Sequence, residues 1–565
     1  MKHFSMPPSL RRAGLFVAAA ALIIHSMPAT AASSIQGALL AQGADVIEAY
    51  VNGRYVGRAA SAGIRVAVDA ALVAGDNVIA LNATRGSSAA PFVLAQLSGQ
   101  FGRTGSGTQW RTLAWPGAAP RDEHGDWTSV GFNDASWKAA VVKTAGLPSG
   151  FPQDGPAAPI WSASDADSKV LFRLNLYLPK DYDASKPQGY GRAVTGGKGG
   201  TVVRVSTPEQ LEYELCRSRD SGGKCSDHQA RIIELAGVID YRRSKGNETV
   251  TACAVKQCAA PAQSEYIVDR FGACAGKPTF SASIDAAGNQ PLLVGSNKTL
   301  LGVGRHPTLR GRGLTLRGGV SNIVIRNLSI SDINAQYVWG GDALTMDDVD
   351  RVWIDHNYFG HIGRQMIVSG FGKASNVTIS WNEFDGLTEY SATCDGTHYW
   401  GMLHLGAADT ISMVNNFIHD TAGRMPHAGG MNNATVAMHI ANNLFLRIAG
   451  HAANPLSQSA KLMMEGNHFN RVATPVQISP DNPGLAFAPV APIGASTAEN
   501  CRARLGRDCQ PNLATPMPAK GAAAFPLDGA VLQLFGSQTA AMVLPYPAEK
   551  VTAAVRNLAG VRHVE

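Results

Sequence analysis

The stretch Val377-Thr378-Ile379-Ser380-Trp381-Asn382 shows the pattern that decides the fold of this chain. Apolar side chains occupy every second position of this stretch, and an asparagine ends it. Residues 411–416 and 438–443 show a similar order. The asparagines that end such runs are Asn327, Asn357, Asn382, Asn416, Asn443 and Asn467. Intervals of 24 to 34 residues indicate a solenoid, and the alternation indicates strands. We therefore predict a right-handed parallel β-helix whose asparagines hydrogen-bond along a buried turn.

The composition agrees with an all-β protein. The 565 residues include 60 Gly and 30 Pro but only 16% charged residues, which is typical of a turn-rich β chain. The formal net charge of +6 is compatible with an anionic polysaccharide, and the absence of a basic arm argues against nucleic acid. A leucine-rich repeat is the competing solenoid, but the chain lacks its dense leucine pattern.

The N-terminus carries the features of an export signal. Lys2, Arg11 and Arg12 precede the apolar run 13–24, and Ala29-Thr30-Ala31 offers a small-residue cleavage site. The run is too short for a membrane anchor, which needs about 20 apolar residues. We predict that residues 1–31 are a signal peptide and that the protein is secreted, extracellular or periplasmic, without a membrane anchor.

Residues 33–180 are predicted to form an antiparallel β-sandwich. The runs 47–51, 77–81 and 170–174 alternate in polarity, and turn signals such as Asn52-Gly53 separate them. With the segment 132–137, they resemble a galactose-binding-like jelly roll. Residues 181–200 are predicted to be a linker, and residues 201–565 the β-helix domain.

Four separated motifs lie within the repeats. They are Tyr337-Val338-Trp339-Gly340-Gly341-Asp342-Ala343, Val352-Trp353-Ile354-Asp355-His356, Ile362-Gly363-Arg364-Gln365 and Gly423-Arg424-Met425-Pro426-His427. In order and spacing the set resembles a pectin lyase, a family that cleaves methyl-esterified polygalacturonate by elimination. The resemblance covers roughly residues 193–565. It implies a polysaccharide lyase that acts on pectin without a cofactor, and we expect a monomer.

Eight cysteines suit an oxidising destination, and the Cys253-x4-Cys258 spacing has no matching Cys/His pair at zinc-ligand distance, so disulfides are favoured. The residues alone leave the connectivity open. The resemblance to pectin lyases implies the pairs Cys253–Cys274, Cys258–Cys394 and Cys501–Cys509. Cys216 and Cys225 then remain as an additional local disulfide.

The acidic positions separate two kinds of substrate. Elimination needs a base for the C5 proton, stabilisation of the anion that develops at C6, and departure of the C4 oxygen. Pectate lyases, which act on the free acid, hold calcium with an Asp, then a Glu and an Asp four residues apart. Here those positions are Asp342, Arg364 and Val368, whereas calcium takes about six to eight oxygen ligands. We therefore predict no metal site and an esterified substrate.

The resemblance also implies the catalytic residues. Arg424 matches the arginine proposed as the base, and Arg364 matches a second arginine that lowers its proton affinity or holds the ester carbonyl. Asp342 would orient Arg364 through a bidentate pair. A guanidinium stays protonated at ordinary pH, so an arginine base predicts an alkaline optimum.

Four further residues are predicted to bind substrate. Trp339, Tyr399 and Trp400 match positions that line the cleft of pectin lyases, where apolar faces suit a methylated polymer. His427 stands where the family usually has lysine, and a histidine is neutral over much of the alkaline range. Two alternatives remain at this point: a calcium-dependent pectate lyase, and a non-catalytic glycan-binding β-helix protein.

Overall fold

The computed structural model describes residues 35–43, 46–59, 63–69, 71–86, 90–115, 117–430, 434–481 and 483–564. The predicted signal peptide, residues 1–31, lies outside this part of the chain. From residue 34 onward the chain forms one compact unit made mostly of strands. Within the described ranges, no helix has the length and apolar character needed to cross a membrane.

Two antiparallel sheets face each other in the N-terminal part. In spatial order, the first contains Val141–Val142, Ile160–Trp161, Val93–Gly99, Gly37–Gly43 and Ile64–Ala67, with Gly102–Gly105 beside Val93–Gly99. The second contains Lys138–Ala139, Arg111–Ala114, Lys169–Leu178, Gly75–Thr84, Val46–Val51 and Arg54–Ala59. Alternate residues such as Ile47, Leu81 and Phe172 point inward and form a common apolar core. The predicted antiparallel sandwich is confirmed, and its likeness to galactose-binding modules stays a prediction.

The rest of the chain coils into stacked parallel strands. These are Thr201–Val205, Arg231–Asp240, Leu292–Leu293, Lys298–Arg310, Leu314–Arg326, Ser329–Ile333, Leu344–Asp355, Tyr358–Ile362, Ile367–Ser369, Ala374–Ser380, Glu383–Asp385, Met402–His404, Asp409–Val414, Phe417–His419, His427–Ala428, Val436–Ala441, Leu444–Pro455, Ala460–Glu465, His468–Val476, Leu485–Phe487 and Leu513–Thr515. Val352, Val377, Ile411 and Met438 stack one coil above another and are fully buried. The predicted parallel β-helix is confirmed.

Buried asparagines form a ladder along one turn of the coils. Each side-chain amide donates to the Oδ1 atom of the next rung at 2.9–3.0 Å, in the order Asn357, Asn382, Asn416, Asn443, Asn467 and Asn512. The prediction for Asn327 is wrong, because its amide donates to Gly302 O instead. Ile325 lies opposite Ile354, so the residue in register with Asn357 is Leu328, whose backbone N–H ends the ladder. Asn512 was missed because a long insertion separates it from Asn467.

Replacing Asn416 with alanine is expected to lower the free energy of unfolding by about 3 kcal/mol or more, because it leaves several buried partners unpaired. Those partners include the backbone N–H and side-chain amide of Asn382 and the carbonyl of Ile379. Equilibrium urea unfolding would measure the change. Asn470→Ala is the control, since Asn470 is half-buried on the strand after Asn467 and is not a rung. Equal effects of the two substitutions would contradict a stabilising role of the ladder.

Loops on one side of the solenoid form a small additional sheet with the strand order Phe280–Asp285, Asn247–Ala254, Tyr266–Val268 and Tyr337–Val338. The short strands Gln263–Ser264 and Tyr390–Ser391 pair beside it, and Arg121–Asp122 pairs with Gly125–Asp126 in the sandwich. All four disulfides are present: Cys216–Cys225, Cys253–Cys274, Cys258–Cys394 and Cys501–Cys509. Two of them fasten the loops that carry the candidate site.

Four short helices are described, and they cap or cover the solenoid: α1 Pro208–Leu215, α2 Ala495–Leu505, α3 Gly529–Gly536 and α4 Val551–Leu558. Single 3₁₀ turns occupy Gly189–Ala193, Ala286–Asn289, Gly521–Ala524, Thr539–Ala541 and Ala548–Lys550. Helix α4 shares one apolar core with the sandwich and with Trp381 and Leu444 of the solenoid. It therefore joins the two β structures.

The predicted linker is packed against the solenoid. The backbone N–H of Tyr190 donates to Ser412 Oγ at 3.0 Å, and that of Gly191 donates to Thr378 Oγ1 at 2.9 Å. Sandwich and solenoid thus belong to the same compact unit, and the domain boundaries at residues 180 and 200 stay predictions.

Candidate active site

A tight turn after Tyr337–Val338 presents Trp339 and Asp342. Trp339 has a left-handed backbone with φ of 70°. The chain passes so close to Gly288 that a Cβ on Gly341, whose φ is 139°, would lie 2.3 Å from Gly288 O. Only glycine fits that position without a shift of the backbone. The Gly-Gly sequence therefore fixes where Trp339 and Asp342 stand.

Asp342 and Arg364 form the ion pair predicted from the motifs. Arg364 Nη1 lies 3.1 Å from Asp342 Oδ2 and 3.4 Å from Oδ1, so one guanidinium nitrogen makes both contacts. Asp342 Oδ1 also accepts from the backbone N–H of Gln365 at 2.9 Å. Burial raises the pKa of Asp342, and the charge of Arg364 opposes that shift. The predicted pairing is present, although the geometry is not a two-nitrogen fork.

The Trp339 ring supports the guanidinium of Arg364. The Arg364 Cζ atom lies 3.9 Å from the ring centroid, which is a close cation–π contact. Phe271, a residue that is 91% exposed, contacts Trp339 edge-on, with the ring centroids 5.7 Å apart. Phe271, a residue that the motifs did not indicate, and Trp339 thus form an aromatic surface next to Arg364.

The backbone of Arg424 is held by the coils on either side. Its carbonyl accepts from Met402 N at 2.6 Å, and Met425 N donates to Ala452 O at 2.9 Å. Arg424 itself has a φ of 56°. The preceding Gly423 lets the Tyr399 ring approach, since a Cβ there would lie 2.7 Å from Tyr399 Cε2.

The guanidinium of Arg424 lies against two aromatic rings. Its Cζ atom is 5.4 Å from the Tyr399 centroid and 4.7 Å from the Trp400 centroid. Across the described part of the chain, no carboxylate pairs with it, and its buried Nε atom has no hydrogen-bond partner. Burial lowers the pKa of Arg424, Tyr399 opposes this, and the charge of Arg364 lowers it further. A half-buried arginine without an anion is costly, and such groups cluster at functional sites.

His427 and His451 lie beside Arg424 as neutral side chains. Burial and the charge of Arg424 lower the pKa of His427 to about 3 and that of His451 to about 4. Both rings are nearly buried, with exposures of 9% and 8%. His427 is therefore neutral and cannot supply the positive charge that a lysine would bring.

His398, which the motifs did not indicate, connects the two halves of the site. Its Nε2 atom lies 2.8 Å from Arg364 O and 3.1 Å from Trp400 O. Both atoms are acceptors, so the proton must be on Nε2. Burial lowers the pKa of His398 to about 4, which keeps the ring neutral. No sequence pattern reveals this role, because the two acceptors are backbone atoms.

The position that would complete a calcium site is apolar. Val368 lies in strand Ile367–Ser369 and packs with Leu403 and Leu405. With Arg364 at the second acidic position, the donor set does not fit calcium, which requires oxygen ligands. Elsewhere among the described residues, Asp385, His419 and Asp420 come within 4.8 Å of one another. The two carboxylate oxygens of Asp420 accept hydrogen bonds from Nε and Nη2 of Arg447, each at 2.5 Å. This cluster is therefore a satisfied ion-pair network.

Comparisons with known proteins identify the family of this chain. The family model described as "Pectate lyase" matches residues 268–512. A probable pectin lyase E of Aspergillus fumigatus is 35% identical over 397 residues, which cover 69% of this chain and 98% of the relative. The chain belongs to the pectin lyase family. A probable pectin lyase F-1 of Aspergillus terreus is 38% identical over 329 residues, or 57% of this chain and 81% of that relative.

Solved structures also resemble this pectin lyase family member. A Bacillus pectate lyase in complex with trigalacturonate is 19% identical with a TM-score of 0.41, covering 67% of this chain and all of the other. Pectate lyase C of Erwinia chrysanthemi is 16% identical with a TM-score of 0.40, covering 67% of this chain and 97% of the other. Likeness at this level says nothing of the substrate.

Proposed function

We propose that this protein is a pectin lyase that cleaves α-1,4-linked methyl-esterified galacturonan by β-elimination, with Arg424 as the base. The observation that carries the proposal is the pair of unlike arginines. Arg364 is held by Asp342, whereas Arg424 has no anionic partner among the described residues and has a lowered pKa. In this proposal Arg364 supplies positive charge, and Arg424 acts as the base.

The two arginines divide the reaction between them. Arg424 removes the C5 proton of the esterified galacturonate residue. The charge of Arg364 stabilises the anion that develops at the C6 carbonyl, and the C4 glycosidic oxygen then leaves with its electron pair and takes up a proton from solvent. Arg424 afterwards releases the C5 proton to solvent. The products are a chain with a 4,5-unsaturated end and a shortened chain. No water is consumed in the bond cleavage.

The aromatic surfaces suit the ester. Trp339 and the Tyr399–Trp400 pair border the two guanidinium groups, and they offer apolar faces to a polymer whose carboxylates are masked by methyl groups. The apolar cluster at Val368 supports the same preference over a calcium-bound pectate. The relatives named as pectin lyases support this substrate as well.

Secretion is part of the proposal. Four disulfides form readily only in an oxidising compartment, and the N-terminal sequence has the features of an export signal.

We expect ultraviolet absorbance to rise when the enzyme is incubated with highly methylated pectin, and we expect a calcium chelator to leave that rate unchanged. The unsaturated product absorbs, and no step uses a metal. Polygalacturonate without methyl esters, with and without added calcium, is the matched comparison. A rise only on polygalacturonate that the chelator abolishes would replace the proposal by pectate lyase activity. No rise on either polymer would favour a glycan-binding protein.

A further inference from the structure

Glu265 is a buried acid that lies beside the candidate active site but has no place in the mechanism above. Glu265 is only 1% exposed to solvent. Directly before it, Gln263–Ser264 pairs with Tyr390–Ser391, and directly after it Tyr266–Val268 pairs with Tyr337–Val338. The backbone of Glu265 is thus fixed on both sides to loops that border the cleft.

The side chain of Glu265 makes one specific contact. Its Oε2 atom accepts a hydrogen bond from the indole Nε1–H of Trp400 at 2.9 Å. The same indole ring faces the Arg424 guanidinium at 4.7 Å. His398 holds the carbonyl of Trp400, so the residue is fixed both at its backbone and at the far end of its ring.

The buried carboxyl group of Glu265 is unfavourable for the stability of the fold. The second oxygen, Oε1, is buried and has no hydrogen-bond partner within the described residues, and no cation there pairs with the group. Burial raises the pKa of Glu265 to about 8, although the Trp400 hydrogen bond opposes the shift. An apolar side chain would avoid the cost of burying an unpaired polar atom.

We propose that Glu265 is a positioning residue, whose hydrogen bond to the indole of Trp400 holds that ring against Arg424 and so aims the guanidinium at the C5 proton. The proposal rests on the proposed function of Arg424 as the base. A displacement of about 1 Å in a catalytic group can reduce a rate by about a hundredfold. The hydrogen bond acts through Trp400, and Glu265 itself does not touch substrate.

Glutamine and leucine at position 265 separate the hydrogen bond from the bulk of the side chain. Glutamine keeps an acceptor for the indole N–H and resembles the neutral acid present at pH 7, whereas leucine removes the acceptor. With methylated pectin at pH 7, we expect Glu265→Leu to lower kcat by about thirtyfold, with KM changed by less than about threefold. Glu265→Gln should stay within about threefold of the wild type. Glu389→Leu, at an exposed acid next to strand Tyr390–Ser391, is the control and should have no effect.

A second variant tests whether the effect passes through Trp400. Trp400→Phe keeps an aromatic ring but has no N–H to donate, so adding Glu265→Leu to it should lower kcat by less than about threefold. Full additivity of the two substitutions would overturn the proposal. Equal losses in Glu265→Gln and Glu265→Leu would overturn it as well, and so would a Glu265→Leu enzyme with the wild-type kcat.

The indole resonance of Trp400 reports the contact without any activity. In protein labelled with ¹⁵N-tryptophan, the peak missing from Trp400→Phe identifies the residue. That peak should move in Glu265→Leu and stay near its wild-type position in Glu265→Gln. A wild-type enzyme that is inactive on pectin would overturn the proposed function and the positioning role with it. An unmoved resonance in Glu265→Leu would instead overturn the contact alone.

Discussion

Arg424→Gln is expected to lower kcat on methylated pectin by about a thousandfold, which lies within the usual range for the loss of a general base. Glutamine retains a polar side chain but cannot accept the C5 proton. The effect should fall on kcat more than on KM, because the aromatic rings of Tyr399 and Trp400 remain. Ultraviolet rate assays over a range of pectin concentrations would separate the two constants. A loss of less than about tenfold would exclude Arg424 as the base.

Arg471→Gln is the matched control for this substitution. Arg471 lies on the same solenoid and shares the left-handed backbone conformation, with φ of 56°, but its side chain is exposed. We expect its kcat to equal that of the wild type. A loss of kcat in both variants would indicate damage to the coil and not the removal of a base.

The pH dependence of an Arg424→Lys enzyme would identify the proton acceptor. The base must be deprotonated, so kcat/KM of the wild type should rise with pH through the alkaline range, up to the lowered pKa of Arg424. A lysine ordinarily loses its proton at a lower pH than arginine, near 10.4 against about 12.5 or above. The rising limb should therefore move to lower pH. If residue 424 only supplied positive charge, activity would fall where the lysine deprotonates.

Arg364→Gln is expected to lower kcat by about a hundredfold, because the anion at C6 loses its fixed cation. The substitution also removes a charge that lowers the pKa of Arg424, so the rising limb of the pH profile should move to higher pH. Steady-state rates measured across the alkaline range would show both effects. A lower kcat with an unmoved profile would mean that the two arginines do not interact.

The control for Arg364 is another ion pair of the solenoid. Arg351 pairs with the adjacent Asp350 at 3.0 Å, but both side chains are partly exposed and such pairs contribute little. Arg351→Gln should therefore leave kcat unchanged. The kcat of Asp342→Asn should lie between those of Arg364→Gln and Arg351→Gln, about tenfold below the wild type. In this variant Arg364 keeps its contact with Trp339 but loses its anionic partner.

The sequence predicted the scaffold because its signal is local and repeated. Alternation along Val352–Ile354 and its later copies follows from the two faces of a strand, and the asparagine spacing follows from the length of one coil. The same regularity explains the error at Asn327, which ends an apolar run but stands one residue away from the ladder register. Register depends on which side chain faces the next coil, and composition does not show that.

By itself, the sequence determined the parallel solenoid, the sandwich before it and the motifs that hold Asp342, Arg364 and Arg424. These features reside in short stretches, where neighbouring residues set the backbone. Only the tertiary structure decided that Trp400 lies between Arg424 and Glu265, that His398 bridges two carbonyls, and that His427 is buried and neutral. Glu265 and Trp400 are 135 residues apart and meet because separate coils and loops pack together. Burial, pKa and hydrogen-bond partners are properties of that packing, and no local pattern carries them.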